Sequence, residues 1–270
     1  YGERSSRSQS LTAATRSTIA MKPDNAFLPQ ELVTLLNGQN FSMGKDLDDD
    51  IPNEISVDAS VFRGVIGFTG EMFSDWTWDA YYQYGRNERH SSVRYSRHND
   101  SFVMGLDAIR DPGDPSKIIC RPLNPGLMAT FTPEYQAELN ALYAKCVPIN
   151  LFGRGNLTQE AINFGWHPLA EDFKYRQHVV AASVQGNLFD GWGAGPIGIA
   201  AGVEHRDEKG DVGHGGVNPN AYAFSWGLDY AGAIKVTEGF FEANVPVFRD
   251  SALGNFLGLN GAVRYTRNTS

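Results

Sequence analysis

Hydrophobic and polar residues alternate with a period of two over residues 62–86, the clearest pattern in the chain. Phe62, Ile66 and Phe68 share one side of this stretch, and Trp76 and Trp78 continue it after a short polar break at residues 74–75. A period of two is typical of extended strands, because successive side chains point to opposite faces. The tight polar break between the two halves therefore predicts an antiparallel hairpin.

Two more hairpins show the same alternation. A strand beginning at Tyr175 leads through a short turn at residues 190–195 into a returning strand that reaches Glu208. Residues 235–248 and 256–267 form the third pair, with a turn at 249–255. Residues 1–19 alternate more weakly and are interpreted as the outer end of a further strand. The pattern predicts about seven long strands.

Long connections separate the hairpins, over residues 21–52, 90–171 and 210–231. Short helices are expected inside them. One is predicted between Pro29 and Gly38, a second after the N-cap Thr132, and a third after Thr158. The second helix gathers its larger side chains on one side: Tyr135, Leu139, Leu142, Tyr143 and Cys146. A short extended piece is predicted at residues 102–109.

Short and long connections alternate strictly along the chain. In an antiparallel meander, alternate connections lie at the same end of the sheet, so one end carries only short turns. This asymmetry is typical of transmembrane β-barrels, and aromatic residues lie beside the short turns: Phe73, Trp76, Trp192, Phe248 and Phe256. The predicted fold class is therefore all-β, an antiparallel up-and-down meander forming part of a transmembrane β-barrel, with short helices in long extracellular loops. A soluble β-sandwich is the alternative.

Composition narrows the function classes. The chain has 270 residues, 41% of them hydrophobic, and a net charge of −8. No apolar run approaches the roughly 20 residues that a spanning helix needs, so the sequence predicts no transmembrane helix. A transmembrane β-barrel stays compatible with this composition, because its alternating strands contain no long apolar run. An acidic chain without a basic stripe argues against nucleic acid as a partner.

Two cysteines occur, Cys120 and Cys146, both in one long connection. A pair confined to one loop favours a disulfide in an oxidising compartment, and two free thiols are the alternative.

Charged side chains fall on the polar side of the predicted strands and would face a barrel lumen. For each of them, pairing across strands is favoured over a direct role in a substrate path. The set consists of Arg63, Glu71, Asp79, Glu204, Arg206, Glu208, Glu238, Glu242 and Arg264.

Other motifs favour ordinary structural roles. The acidic run at residues 46–50 lacks the glycine and closing glutamate of a calcium loop, so a solvated acidic loop is favoured over a weak cation site. The glycines at 191–195 precede a strand rather than a helix, which excludes a dinucleotide loop. His178 and His205 lie at the outer ends of apolar strand faces. For His214, a flexible loop residue is favoured over a ligand contact. Because neither a nucleophile elbow nor paired acid chemistry is present, we expect no enzymatic activity and no cofactor.

Several stretches resemble TonB-dependent outer-membrane receptors of the group common in sphingomonads. They are PDNAFLP, FSMGKD, FRGVIGFTGEMFSDWTWDAYYQYGR, IICRP, CVPINLFGRGNLTQEAI, AASVQGNLF and GVEHRDEK. The most specific is Cys-Val-Pro-x-Asn-x-Phe-Gly, beginning at Cys146, with a cysteine upstream. The resemblance covers essentially the whole chain.

The resemblance implies a 22-stranded barrel with a plug, energised by TonB, in the outer membrane of a Gram-negative bacterium. Residues 1–270 are then expected to be an internal part of the barrel domain, without the plug and the barrel ends. The implied partners are outer-membrane lipid, the protein's own plug, TonB and a small nutrient such as a siderophore or oligosaccharide. Tyr222, Phe224 and Trp226 are candidate stacking residues of a ligand loop, and the outer aromatic girdle of the barrel is the alternative role for them. The alternative function is a secreted β-rich carbohydrate-binding or carbohydrate-active domain.

Overall fold

Seven long strands form one antiparallel sheet in the computed structural model. The structure describes residues 1–10, 15–47, 50–73, 75–223 and 227–270, with the backbone alone at residues 10 and 15–18. In chain order the elements are β1 (Gly2–Ser10), β2 (Thr15–Met21), α1 (Gln30–Leu36), β3 (Phe41–Lys45), β4 (Asn53–Met72), β5 (Trp76–Arg97), α2 (Asn99–Leu106), β6 (Ala108–Asp111), β7 (Asp114–Cys120), α3 (Pro125–Met128), α4 (Pro133–Tyr143), α5 (Gln159–Gly165), β8 (Trp166–Asp190), β9 (Pro196–Gly213), β10 (Tyr230–Ser251) and β11 (Gly254–Thr269).

The main sheet has the order β1-β4-β5-β8-β9-β10-β11, and every neighbouring pair is antiparallel. The predicted mostly-β meander is therefore confirmed. Among the described residues, no helix is long and apolar enough to cross a membrane.

Connection lengths alternate as the sequence predicts. Three, five and two residues separate β4 from β5, β8 from β9 and β10 from β11, whereas 68 residues separate β5 from β8 and 16 separate β9 from β10. The turn predicted at residues 74–75 lies partly outside the described residues, since residue 74 is not described. The long strands extend further than the alternation indicates. β5 continues to Arg97 and β8 begins at Trp166, so the second long connection is shorter than expected.

The strand register divides the side chains of the sheet into two faces, because directly paired residues lie on the same face. One face carries an apolar band in the half of the sheet next to the short turns. Its large members are Phe62, Ile66, Phe68, Met72, Trp76, Trp78, Tyr82, Tyr84, Val180, Val184, Ile199, Val203, Phe241, Val245, Leu257, Leu259, Val263 and Tyr265. Towards the long connections, the same face changes to charged residues. Asp207 and Lys235 lie in one cross-strand row, and Arg86, Arg176 and Lys209 lie in the next.

Two tryptophans of the apolar band lie flat against glycines of neighbouring strands. A Cβ atom on Gly186 would lie 2.6 Å from the Trp76 ring, and one on Gly70 would lie 2.7 Å from Trp78 Nε1. Trp76 Nε1 also donates a hydrogen bond to the carbonyl of Asn187, at 3.0 Å. The glycines in these strands therefore provide room for the indoles.

A second structural layer, called here the loop layer, is built from residues 15–47, 50–52 and 98–165. It contains the β2–β3 pair, the β6–β7 hairpin and all five helices. Its core is formed by buried side chains from both long connections and the first residue of β8: Ile19, Met21, Leu47, Ile51, Phe102, Leu106, Ile149, Leu151, Ala161, Ile162, Phe164 and Trp166. The two connections thus fold as one unit.

Polar contacts also join the two connections of the loop layer. Arg121 binds Asp24 at 2.7 Å and Asp107 at 2.9 Å. The Asn25 side chain donates to the carbonyl of Leu106 at 2.7 Å. These bonds hold the first connection against α2 and β7.

Local predictions for the long connections have mixed outcomes. The helices after Pro29, Thr132 and Thr158 are confirmed, and both threonines cap their helices. The extended piece at residues 102–109 is wrong, because most of it belongs to α2. The periodicity of a short apolar run does not distinguish a helix from a strand. Here the N-cap at His98 favours the helix. The strand predicted over residues 1–19 is confirmed only in its first part, because β1 joins the main sheet whereas β2 pairs with β3.

The side of α4 predicted to be apolar is only partly used. Leu139 is the one residue of this helix that is buried, while Leu142 and Cys146 pack at the margin of the loop core. The Tyr135 hydroxyl instead donates to Asp100 at 3.1 Å, which ties α4 to the start of α2.

Cys120 and Cys146 form a disulfide, as predicted, across a sequence separation of 26. The bond joins the end of β7 to the residues after α4. The Tyr143 hydroxyl adds a hydrogen bond to the carbonyl of Cys120 at 3.2 Å. The outer part of the second connection is therefore closed into a covalent ring.

Packing around Gly105 gives a testable prediction. A Cβ atom here would lie 2.7 Å from the Ile149 side chain and 2.8 Å from the Val147 carbonyl oxygen. Because backbone cannot yield easily, we expect Gly105→Ala to destabilise the loop layer by about 1–3 kcal/mol despite the better helix propensity of alanine. Urea unfolding, monitored by proteolysis of the loop layer, measures this change in the free energy of unfolding. Gly113→Ala, which meets only a side-chain oxygen at 3.4 Å, is the matched control, and an equal effect of both would contradict the packing argument.

Candidate functional site

The register places all nine charged residues selected from the sequence on one face of the sheet, called here the polar face. It is the face opposite the apolar band. The set is Arg63, Glu71, Asp79, Glu204, Arg206, Glu208, Glu238, Glu242 and Arg264. The set contains six carboxylates and three guanidinium groups, so its net charge is negative.

A ladder of hydrogen bonds crosses the polar face from β4 to β9. Arg63 donates to Gln83 Oε1 from Nε at 3.0 Å and from Nη2 at 2.6 Å. Gln83 then donates to Gln177 at 2.9 Å, and Gln177 donates to Glu208 at 2.7 Å. The glutamines were not selected from the sequence. The sequence does place each glutamine on the polar side of its alternating strand. Only the strand register shows that the two glutamines are neighbours.

Carboxylates on β9 and β10 are held by arginines. Glu204 and Glu238 are direct cross-strand partners, which is unfavourable for two like charges. Arg206 lies 3.6 Å from Glu204 and 3.2 Å from Glu208, and Arg264 lies 3.7 Å from Glu238. These arginines therefore offset the repulsion between the two glutamates.

Other acidic groups of the polar face differ in their contacts. Ser183 Oγ donates to Asp79 across β5 and β8. Within the described part of the chain, Glu71 and Glu242 have no cation within ion-pair distance. The polar face thus combines satisfied ion pairs with free carboxylates, a surface suited to water rather than to a packed core.

The histidines of the apolar strand faces contact polar neighbours. His178 Nδ1 lies 2.8 Å from the Tyr82 hydroxyl, and its ring centroid lies 5.0 Å from that of Tyr84. His205 Nδ1 lies 2.8 Å from Thr237 Oγ1. Both are at the boundary between the apolar band and the charged rows.

His214 is not the flexible loop residue that the sequence suggests, because it is buried. Its Nδ1 lies 2.7 Å from Asp229 Oδ1, and its Nε2 lies 3.8 Å from Glu171 Oε2. Glu171 is itself bound by Arg89 at 2.6 Å. The contacts tie the start of the third long connection to its end and to β8.

The predicted ligand-loop residues are placed in part. Phe224 and Trp226 lie outside the described residues. Tyr222 is buried, and its ring packs edge-on against His98 with centroids 5.3 Å apart. Burial raises the pKa of the Tyr222 phenol above its ordinary value. In this arrangement the ring serves loop packing rather than offering a free stacking surface.

Tyr222 also joins the third long connection to the C-terminal end of β5. It forms an isolated β-bridge with His98, and the backbone N–H of Ala223 donates to the carbonyl of Arg97 at 2.9 Å. His167 stacks on His98 from the β8 side, with ring centroids 5.1 Å apart. Three segments of the chain therefore meet at His98.

His98 is the N-cap of α2. Its Nδ1 accepts a hydrogen bond from the Ser101 backbone N–H at 3.3 Å and lies 2.9 Å from Ser101 Oγ. Accepting this bond requires Nδ1 without a proton. Burial lowers the pKa of His98 below its ordinary value of 6.5, although Asp100 and Glu138 act in the opposite direction.

This cap predicts a loss of loop stability in mild acid. Below pH 6.5 the unfolded loop binds a proton at His98 that the folded loop does not, so stability falls as pH drops through this window. His98→Asn keeps a capping acceptor without titrating, and we expect it to remove that part of the pH dependence. Proteolysis of the loop layer at pH 7.5 and pH 5 measures the effect. His205→Asn on the sheet is the control, and an unchanged pH dependence in His98→Asn would contradict the role of the cap.

The acidic run at residues 46–50 is described only in part, since Asp48 and Asp49 lie outside the described residues. Asp50 lies 3.5 Å from Lys45 Nζ and accepts a hydrogen bond from the Gly155 N–H at 3.0 Å. Within the described ranges, no group of three or more His, Cys, Asp or Glu side chains has the geometry to hold a metal ion.

Comparisons with known protein families, curated proteins and solved structures find no significant match to this chain.

Proposed function

We propose that this chain is part of the transmembrane β-barrel of an outer-membrane receptor that takes up a small nutrient with energy from TonB. In this proposal the apolar band faces lipid, the polar face lines the lumen, and the loop layer stands outside the cell. The transport role and its partners, the plug and TonB, come from the sequence resemblance.

The observation that carries the membrane part of the proposal is the apolar band. Many of its large side chains are exposed, including Phe68, Val263 and Tyr265. On β5 the band runs from Trp76 to Tyr84, about 26 Å along the strand at ~3.3 Å per residue. Strands in membrane barrels tilt by roughly 35–45°, which reduces this height to about 20 Å, compared with an apolar height of about 25 Å in such barrels.

The borders of the band support the same orientation. Trp76 lies at the edge next to the short turns, where interfacial tryptophans are common. Charged residues begin at the other edge within two adjacent rows, first Asp207 and Lys235 and then Arg86, Arg176 and Lys209, where they can reach headgroups and water. A water-exposed sheet face has no reason to change from apolar to charged within two adjacent rows across four strands.

The nutrient-binding role is proposed for the loop layer. Its disulfide suits an oxidising extracellular setting, and its own core gives it a fixed shape. A rigid platform of this kind is what a loop-based binding site needs.

Membrane fractionation of the product of the full gene tests the proposal. We expect the protein in the outer-membrane fraction, resistant to extraction by salt and released by detergent. Recovery in the soluble or secreted fraction would overturn the barrel and favour a secreted β-rich binding domain. Growth on candidate nutrients with and without a functional TonB then tests the transport part separately.

A further inference from the structure

A cavity of about 430 Å³ opens in the loop layer between β2 and α2. Its size falls within the range of natural small-molecule sites. Its apolar wall is part of the loop core, since Met21, Phe102 and Leu106 are all buried and all line it. The floor of the cavity is therefore held by the best-packed part of the loop layer.

Arg97 at the end of β5 supplies a cation without a counter-ion. Its guanidinium carbon lies 4.7 Å from the centroid of the Phe102 ring. In the described part of the chain no carboxylate lies within ion-pair distance of Arg97, and its Nε is buried without a hydrogen-bond partner. Lys22, the other cation lining the cavity, is paired with Asp107 at 2.5 Å. The uncompensated positive charge of the cavity is thus at Arg97.

Two amides add hydrogen-bonding capacity near this charge. Asn40 and Asn99 both line the cavity, and within the described ranges neither side chain makes a hydrogen bond. An apolar wall with a few unused polar groups is the usual composition of a ligand site. The combination of one guanidinium and two amides favours an anionic oxygen group on the ligand.

We propose that this cavity binds a small carboxylate with an apolar body, such as a medium-chain or aromatic acid. The carboxylate pairs with the Arg97 guanidinium, whose planar fork matches two carboxylate oxygens. The apolar body lies against Met21, Phe102 and Leu106. The site itself stands on the loop layer alone, whereas its assignment to the imported nutrient rests on the proposed function.

Binding is tested on the purified full-length protein in detergent by isothermal titration calorimetry. Octanoate and its neutral analogue octanamide are the two test ligands, because they share the chain and differ in charge. We expect octanoate to bind at least about tenfold more tightly, as a charge-assisted bond to an arginine provides. Absence of octanoate binding, or equal binding of both, overturns the proposal.

Variants locate the effect. Arg97→Met keeps an unbranched stem and removes the guanidinium, so it is expected to weaken octanoate binding at least about tenfold and to abolish the preference for octanoate over octanamide. Asn99→Asp removes no hydrogen bond of the described chain and places a negative charge in the cavity, so it is expected to weaken octanoate binding about tenfold or more. Arg94→Met, an exposed arginine of the same strand that stacks on Tyr95, is the control with unchanged binding.

The outcomes separate this inference from the proposed function. Octanoate binding that depends on Arg97, in a protein recovered from the soluble fraction, supports the site and overturns the membrane role. A membrane-embedded protein that binds neither ligand overturns the site and leaves the membrane role standing. An Arg97→Met variant that still prefers octanoate overturns the site whatever the location of the protein.

Discussion

Replacing Ile66 with arginine is expected to destabilise the membrane-embedded protein by about 2–4 kcal/mol, because the new charge would lie in hydrocarbon near the middle of the apolar band. Replacing the adjacent Val65 with arginine is expected to have little effect, since this residue lies on the polar face. The two side chains are otherwise well matched. Both are β-branched, they are neighbours on β4, and their exposed fractions are 59% and 57%.

The pair of variants discriminates between two kinds of sheet. If both faces met water, arginine would be tolerated equally at the two positions, because exposure and strand position are the same. Each full-length variant is titrated with urea in phospholipid vesicles. The gel mobilities of the folded and unfolded forms report the fraction unfolded and give the free energy of unfolding of each variant. Equal values, or a larger loss for Val65→Arg, would exclude a lipid-facing apolar band.

Loss of the disulfide is expected to destabilise the loop layer by about 3.5 kcal/mol. In the chain-entropy model, a cross-link over 26 positions lowers the conformational entropy of the unfolded segment. This entropy loss raises the free energy of the unfolded segment by about 3.5 kcal/mol at 25 °C. The paired substitution Cys120→Ser and Cys146→Ser avoids leaving a reactive thiol. Hydrogen exchange of the α4 amides reports on this region, and the main sheet should exchange as before.

Reduction of the native protein provides the matched control for the cysteine variant. A reducing agent is expected to bring the α4 exchange of the native protein to the level of the double variant and to leave the variant itself unchanged. If the variant exchanges as slowly as the oxidised native protein, then the packing of Leu139 and Leu142 is enough to hold this segment without the covalent link.

The main sheet was predictable because its signals are local and repeated. Alternation over residues 62–86 defines two strands and the face of every side chain on them. The bulge between Pro246 and Phe248 illustrates the limit, since this register shift falls inside the strand that the alternation predicts over residues 235–248. Nothing in the alternation of a single strand records such an irregularity in its pairing.

The loop layer was less predictable because its contacts are distant in sequence. Caps such as Thr132 and Thr158 act within one turn and were found. By contrast, the burial of His214 depends on Asp229 and Glu171, and the cavity depends on β2 lying beside α2. The prediction of a flexible His214 failed for this reason: local sequence cannot show which distant groups satisfy a buried imidazole.

Arg97 faces two parts of the molecule at once. Arg97 lines the cavity and its guanidinium lies over Phe102, while its carbonyl accepts a hydrogen bond from Ala223 of the third long connection. If the cavity binds the proposed carboxylate, any change that occupancy makes to the attachment of the third connection is matched by an equal change that this attachment makes to the binding of the carboxylate. Arg97 would then couple the cavity to a second long connection.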